Sequence, residues 1–232
     1  GIKFDRIIYT FENQPWEKVL CYAVKKFMPD TKLIGCMHTM TLSNLVSIFP
    51  GEYERDNMPQ PDYIFTTGKL TADELKKYWK PEKIIENCAL RYDYLFKLES
   101  LKIKQKENAD IKKNSQNQFK VLLALSFDYK KSIEMIKMTY YAFKDKYEYQ
   151  IIIKSHPTYI LNFLELNIES ENFILKNEPV EELLVGCDLV LNSDSMVALE
   201  GLKLGIPMLE IDIDDFIPLS RFYYCPDIQI SA

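Results

Sequence analysis

The chain has no excess of basic residues, no paired-cysteine motif and no apolar run long enough to cross a bilayer, and each absence removes a class of function. Its 29 Lys and Arg stand against 34 Asp and Glu, a formal net charge of −5. Without a basic surplus to neutralise a phosphate backbone, nucleic acid is not an expected partner. The five cysteines, Cys21, Cys36, Cys88, Cys187 and Cys225, are odd in number and widely spaced. None forms Cys-x-x-Cys, so neither a zinc site nor a disulfide framework is indicated, and reduced thiols in a reducing cytoplasm are the expectation. No apolar run approaches the roughly 20 residues of a membrane-spanning helix, and no secretory signal opens the chain. The start at Gly1, leading directly into Ile-Lys-Phe-Asp and a strand-like run, is abrupt. It fits a piece of a longer chain, or a native start from which Met has been removed.

What is present is an alternation. With 47% hydrophobic residues, the 232 residues can form one large α/β domain or two small ones. Short β-branched or aromatic runs alternate with longer segments of helical period, the pattern of βαβ units and a mainly parallel sheet. In the first half, strands are expected from Arg6 to Phe11, Lys32 to Met37, Asp62 to Thr67 and Lys83 to Cys88. A helix opens at Pro15 and runs to about Phe27, and Thr71-Ala-Asp-Glu reads as a capping box starting another. Between His38 and Asp62 a long polar connection is expected. Residues 102–118 are nearly all Lys, Glu, Asp, Asn and Gln, a composition that cannot bury enough apolar area to order itself. The expected organisation is a partial Rossmann-like domain over 1–101, a polar linker over 102–118, and a second Rossmann-like domain over 119–232.

The second half is more regular. Strands are expected at Phe119–Ser126, Gln150–Lys154, Phe173–Leu175, Asp188–Leu191 and Ile206–Ile211. Helices are expected at Asp128–Lys146, about Tyr159–Asn167, Pro179–Cys187 and about Ser195–Leu204, the first with Ile133, Ile136, Tyr140, Phe143 and Tyr147 near one face. Five strands with four crossovers make a Rossmann-like domain. Neither half contains an internal repeat.

Ligands of open α/β sheets bind outside the carboxyl ends of the strands. Ser126 ends the first strand of the second domain, Lys154, Ser155 and His156 the second, and Asn192 and Ser193 the fourth, directly before a helix beginning near Ser195. A helix amino terminus suits a phosphate. The hydroxyls of Ser193 and Ser195 add donors, and Lys154 or His156 supplies charge. Glu200 lies in the first two turns of that helix, where side chains lean back toward its start, so its carboxylate can accept from both hydroxyls of a ribose. Each residue also has a bland reading: Ser193 as a helix cap, Glu200 as a solvated charge, His156 as a strand end bonded to backbone. Their placement at adjacent strand ends favours a nucleotide site.

The segment Lys154-Ser-His-Pro resembles the His-Pro motif of bacterial B-type glycosyltransferases, such as sialyltransferases and related capsule enzymes. The stretch from Asp188 through Asn-Ser-Asp-Ser and Glu200 to Gly205-Ile-Pro is similar to the nucleotide-binding strand–helix unit of the same superfamily. There a Ser-containing turn meets the donor phosphate, the helix Glu meets the ribose, and a small-x-Gly-x-Pro turn leads to the next strand. Tyr9-Thr-Phe-Glu, Gly35-Cys-Met-His and Leu90-Arg-Tyr-Asp resemble elements of surface-carbohydrate (capsule or O-antigen) biosynthesis proteins. The resemblance implies a GT-B-like α/β fold of two Rossmann-like domains with parallel sheets, the amino-terminal one incomplete. It places Glu12 as first candidate for a general base and His38 as second. The alternative is that Glu12 caps the helix at Pro15 while Trp16 packs in the core. The acidic-acidic-Gly base motif of the sialyltransferases is absent, and no final helix returning to the first domain is legible.

The function expected is transfer of a sugar from a CMP-, CDP- or UDP-linked donor to a glycan or lipid-linked glycan acceptor. The location expected is the cytoplasm, with room for peripheral association with the inner face of the cell membrane. No metal is expected, because a positive helix end and cationic side chains can replace it. Asp212-Ile-Asp-Asp has Asp-x-Asp spacing but follows the last strand. Two rivals stand beside this reading: a sugar-nucleotide epimerase of related fold, and a non-catalytic module of a polysaccharide-assembly complex.

Overall fold

The computed structural model describes residues 3–40, 45–87, 89–98, 118–159, 161 and 168–213. These fall into two compact units, one up to Arg91 and the other from Tyr92 onward. The first unit carries a sheet of four parallel strands, β1 (Arg6–Thr10), β2 (Lys32–Cys36), β3 (Tyr63–Thr66) and β4 (Ile84–Glu86), in that spatial order. Its two faces have separate cores. Phe11, Met37, Ile64, Leu75 and Trp79 pack together on one. Cys21, Val24 and Leu33 form the other, where the amphipathic helix Pro15–Phe27 lays down its inner side.

The second unit carries five parallel strands in the order β7–β6–β5–β8–β9, with β5 at Phe119–Ala124, β6 at Tyr149–Lys154, β7 at Phe173–Leu175, β8 at Leu189–Asn192 and β9 at Met208–Glu210. β5 is central, and the order of crossovers reverses between β5 and β8. That reversal is the switch point at which ligands of doubly wound sheets bind. Val121, Leu123, Ile151 and Ile153 face one core, and Leu122, Ala124, Ile152 and Val190 the other. Strands buried on both sides need continuous apolar runs, which is why Val-Leu-Leu-Ala and Ile-Ile-Ile stand where they do. The α/β architecture with two parallel sheets is the one read from the sequence.

Several local expectations need correction. The helix expected to be capped at Thr71 runs from Lys69 to Leu75, with Gly68 ahead of it. Thr71 lies inside it, buried, its hydroxyl 3.2 Å from that of Thr67. The polar connection before β3 contains a short helix, Glu52–Asn57, none of whose residues is buried, so apolar periodicity could not reveal it. The helix after β5 spans Tyr129–Phe143, and its most buried residues are Lys131, Ser132, Met135, Ile136 and Thr139. Its inner face therefore lies to one side of the expected stripe, and Tyr147 is exposed. The described residues divide into units at Arg91 and Tyr92, and Leu98 packs on a core of the second sheet, while the expected boundary at 101 lies outside the described residues. The expected linker, most of the expected helix Tyr159–Asn167 and the chain after the last strand fall largely on 99–117, 162–167 and 214–232, outside the described residues.

Candidate functional site

In the first unit β1 and β2 run parallel with Thr10 opposite Cys36. Two residues beyond each strand end stand Glu12 and His38, so the register alone makes them neighbours. Glu12 Oε1 lies 3.7 Å from His38 Nε2, with side chains 49% and 41% exposed. His38 Nδ1 is buried with no hydrogen-bond partner among the described residues, so no protein group there fixes the ring's tautomer.

Glu12 does not cap the helix at Pro15. The cap residue is Gln14, whose side chain makes no capping bond. Glu17 reaches back instead: its carboxylate accepts the N–H of Glu12 at 2.9 Å and that of Asn13 at 3.0 Å. Burial pushes the Glu17 carboxyl above its ordinary range, and those two N–H groups pull it partly back. Asn13 has a left-handed backbone, φ 55, which Asn tolerates better than most residues. Its amide donates to the Ser47 carbonyl at 2.6 Å and to Glu54 at 3.1 Å. Glu12 thus rides on a pinned turn with its own carboxylate uncommitted to the cap. Trp16, expected in the core, is 53% exposed and meets Tyr9 edge-on.

In the second unit the carboxyl ends of β5, β6 and β8 carry the polar residues. Ser126 is buried, and its hydroxyl donates to Asp194 at 2.9 Å while accepting the N–H of Asp128 at 3.1 Å. It braces the switch point and has no lone hydroxyl proton to offer a ligand. Asp194 also meets the ammonium of Lys131 at 3.5 Å, both side chains almost wholly buried. The Tyr159 hydroxyl lies 2.7 Å from the Ser126 carbonyl and 2.6 Å from the Ser132 hydroxyl.

His156 Nδ1 accepts from the Thr158 N–H at 3.3 Å and lies 2.9 Å from the Thr158 hydroxyl. A backbone N–H can only donate, so Nδ1 is the lone-pair nitrogen and the proton sits on Nε2. Burial pushes the ring's proton affinity below the ordinary histidine value, against a smaller pull from Asp194. His156 therefore offers a hydrogen bond where charge was expected. Lys154, the other expected cation, donates to the Asn177 carbonyl at 3.0 Å.

Ser193 is buried in the turn after β8. The Ser195 hydroxyl accepts the N–H of Val197 at 3.2 Å and so closes the first turn of the helix Val197–Lys203. Glu200 is buried on that helix, and its carboxylate acts on the nearby Tyr94 phenol. Burial first, and that carboxylate next, push the Tyr94 phenol well above its ordinary value. Gly201 lets the helix lie close on the sheet, since a Cβ there would come 3.1 Å from Val190 Cγ2. Lys131, Asp194, Thr158 and Tyr94 are the residues the sequence reading missed. Asp194, between two serines already singled out, was the one with a local signal. Among the described residues no cluster of three or more His, Cys, Asp or Glu is placed to hold a metal ion. No helix of the described residues is long and apolar enough to cross a membrane.

Two parallel α/β units, the second with a switch-point cluster, define a GT-B-like fold. Solved structures of similar fold are the wall teichoic acid polymerase TagF (16% identity over 97% of this chain and 59% of that one, TM-score 0.53), the UDP-GlcNAc 2-epimerase of Methanocaldococcus jannaschii in complex with UDP-GlcNAc and UDP (17% over 88% and 59%, TM-score 0.56) and the calicheamicin glycosyltransferase CalG4 (11% over 89% and 54%, TM-score 0.52). The chain spans less than two thirds of the length of each. No protein-family model and no curated protein matches it.

Proposed function

We propose that the chain belongs to an enzyme that transfers a sugar from a nucleotide-activated donor to a glycan or lipid-linked glycan acceptor in surface-polysaccharide assembly. The observation that carries the reading is the Glu12–His38 pair: a carboxylate and an imidazole from successive strand ends, 3.7 Å apart and half exposed. Glycosyl transfer forms a bond from an acceptor oxygen to the anomeric carbon and breaks the bond from that carbon to a phosphate oxygen. The acceptor proton must go to a base, and the departing phosphate must be stabilised. Glu12 is the base, with His38 beside it to share or relay the proton. The turn of Ser193 and Ser195 and the Nε2–H of His156 donate to the phosphate, and Glu200 takes the ribose hydroxyls. These are donors and helix ends rather than a metal. The enzyme works in the cytoplasm on acceptors presented at the inner face of the membrane.

The test is binding of CMP, CDP, UDP and their sugars by calorimetry and thermal shift. At least one should bind, and Glu200→Ala or His156→Ala should each weaken it about tenfold or more, the scale of a lost charge-assisted bond or two. If no nucleotide binds the wild-type protein, a non-catalytic assembly module becomes the better description. If a nucleotide sugar is converted to its epimer without acceptor, the epimerase reading replaces transfer.

A further inference from the structure

The switch-point cluster holds a charge pair that the reaction above does not use. Lys131 enters from the helix after β5 and Asp194 from the turn after β8, and both side chains are more than nine-tenths buried. Burying two ions is costly, and such a pair is weak evidence for stability by itself. Its position is more informative. Asp194 lies between Ser193 and Ser195 in sequence, holds the Ser126 hydroxyl at 2.9 Å, and acts electrostatically on His156 and Tyr159. A lone carboxylate there would repel any phosphate that approached the serine hydroxyls or His156.

We propose that Lys131 is a positioning cation of the donor site: it cancels the charge of Asp194 while Asp194 holds the Ser193–Ser195 turn to Ser126, so that serine hydroxyls and the His156 Nε2–H can receive an anionic phosphate ester. This rests on the sugar-nucleotide reading for its ligand, and on the geometry alone for its electrostatics. Asp194, from the turn after β8, acts on the His156 ring, which stacks on Tyr159 of its own segment. Lys131 and Asp194 are both almost wholly buried and face each other at 3.5 Å, so changing either one removes one charge of the pair.

The two single substitutions then have opposite signs. Lys131→Met removes the cation beside Asp194. The midpoint of His156, read by NMR in a chain with only two histidines, should rise by about half to one pH unit, and affinity for CDP or UDP should fall roughly tenfold. Asp194→Asn leaves the cation: the midpoint should fall, and affinity should hold or tighten. The double variant Lys131→Met/Asp194→Asn should return both readouts to within about threefold of wild type. A pair that merely braces the fold predicts losses of the same sign for both single variants and no restoration, which overturns the proposal. Should Lys131→Met not fold, Asp194→Asn and the double variant still decide it by the direction of the His156 shift. If neither nucleotide binds the wild-type protein, the sugar-nucleotide reading fails, while opposite shifts of the midpoint uphold the charge balance and parallel or absent shifts overturn it.

Discussion

At the end of β1, one carboxylate holds two backbone N–H groups that a turn would otherwise bury unpaired. Glu17 accepts from Glu12 and Asn13 and is itself 2% exposed. Glu17→Ala removes the acceptor of both donors, that of Asn13 buried, and a loss of about 2–4 kcal/mol is expected in urea unfolding. Glu17→Gln keeps one acceptor and should lose about half as much. The same carboxyl carries a pH signature. Its folded-state proton affinity is raised, so between its unfolded and folded midpoints the folded state binds more protons and stability falls as pH rises. The stabilisation is fully present below the ordinary carboxyl range and is lost as pH climbs through the raised folded value. Glu17 therefore contributes a downward slope across weakly acidic pH, read as the difference between wild type and Glu17→Gln. Equal slopes for wild type and Glu17→Gln through that window would refute the assignment.

Among the elements, the helix Val197–Lys203 is fitted to the sheet by its glycines. Gly205 turns the chain out of the helix with φ +67, a left-handed conformation that costs an L side chain about 1 kcal/mol or more, and no atom lies within 4 Å of where a Cβ would stand. Gly205→Ala should therefore destabilise by backbone strain alone, about 1 kcal/mol in denaturant unfolding. A neutral result would show that the turn relaxes without it. Elements of this kind were legible in the sequence for a physical reason: buried parallel strands need unbroken apolar runs, so β5, β6 and β8 and the residues at their ends could be located, including His156, Ser193 and, in the first unit, Glu12 and His38. The helix Glu52–Asn57 was not legible, because it buries no residue and leaves no periodic trace. Nor was the partnership of Asp194 with Ser126 and Lys131, 68 and 63 positions away in sequence. A contact across a parallel sheet depends on strand order, and strand order is not written in local spacing.

For the molecule as a whole, where one unit gives way to the other is a question of energetics. Composition placed the boundary at the polar stretch after residue 101, yet three contacts tie the preceding helical residues 94–98 to the second unit. The Glu200 carboxylate acts on the Tyr94 phenol. The Lys203 ammonium sits 4.8 Å from the centre of the Phe96 ring. Leu98 packs on the core containing Leu184 and Val190. A part-buried leucine, a phenol near a buried carboxylate and a partly exposed cation–π contact contribute together about 2–4 kcal/mol. A fragment of 92–232 should keep these contacts, whereas one of 118–232 loses all three and should melt roughly 10 °C lower. The shorter fragment should also bind CDP or UDP differently from the longer one, because it frees Glu200 from Tyr94 as it loses the packing behind that helix. A point variant separates the two effects: Tyr94→Phe in the longer fragment removes only the hydroxyl. If the hydroxyl competes with a ribose for Glu200, that variant should tighten nucleotide binding about threefold to tenfold, the worth of one hydrogen bond, with little change in melting temperature. If it weakens binding instead, Tyr94 holds Glu200 in place for the ligand rather than standing in for it. Equal melting of the two fragments would return the boundary to the polar stretch.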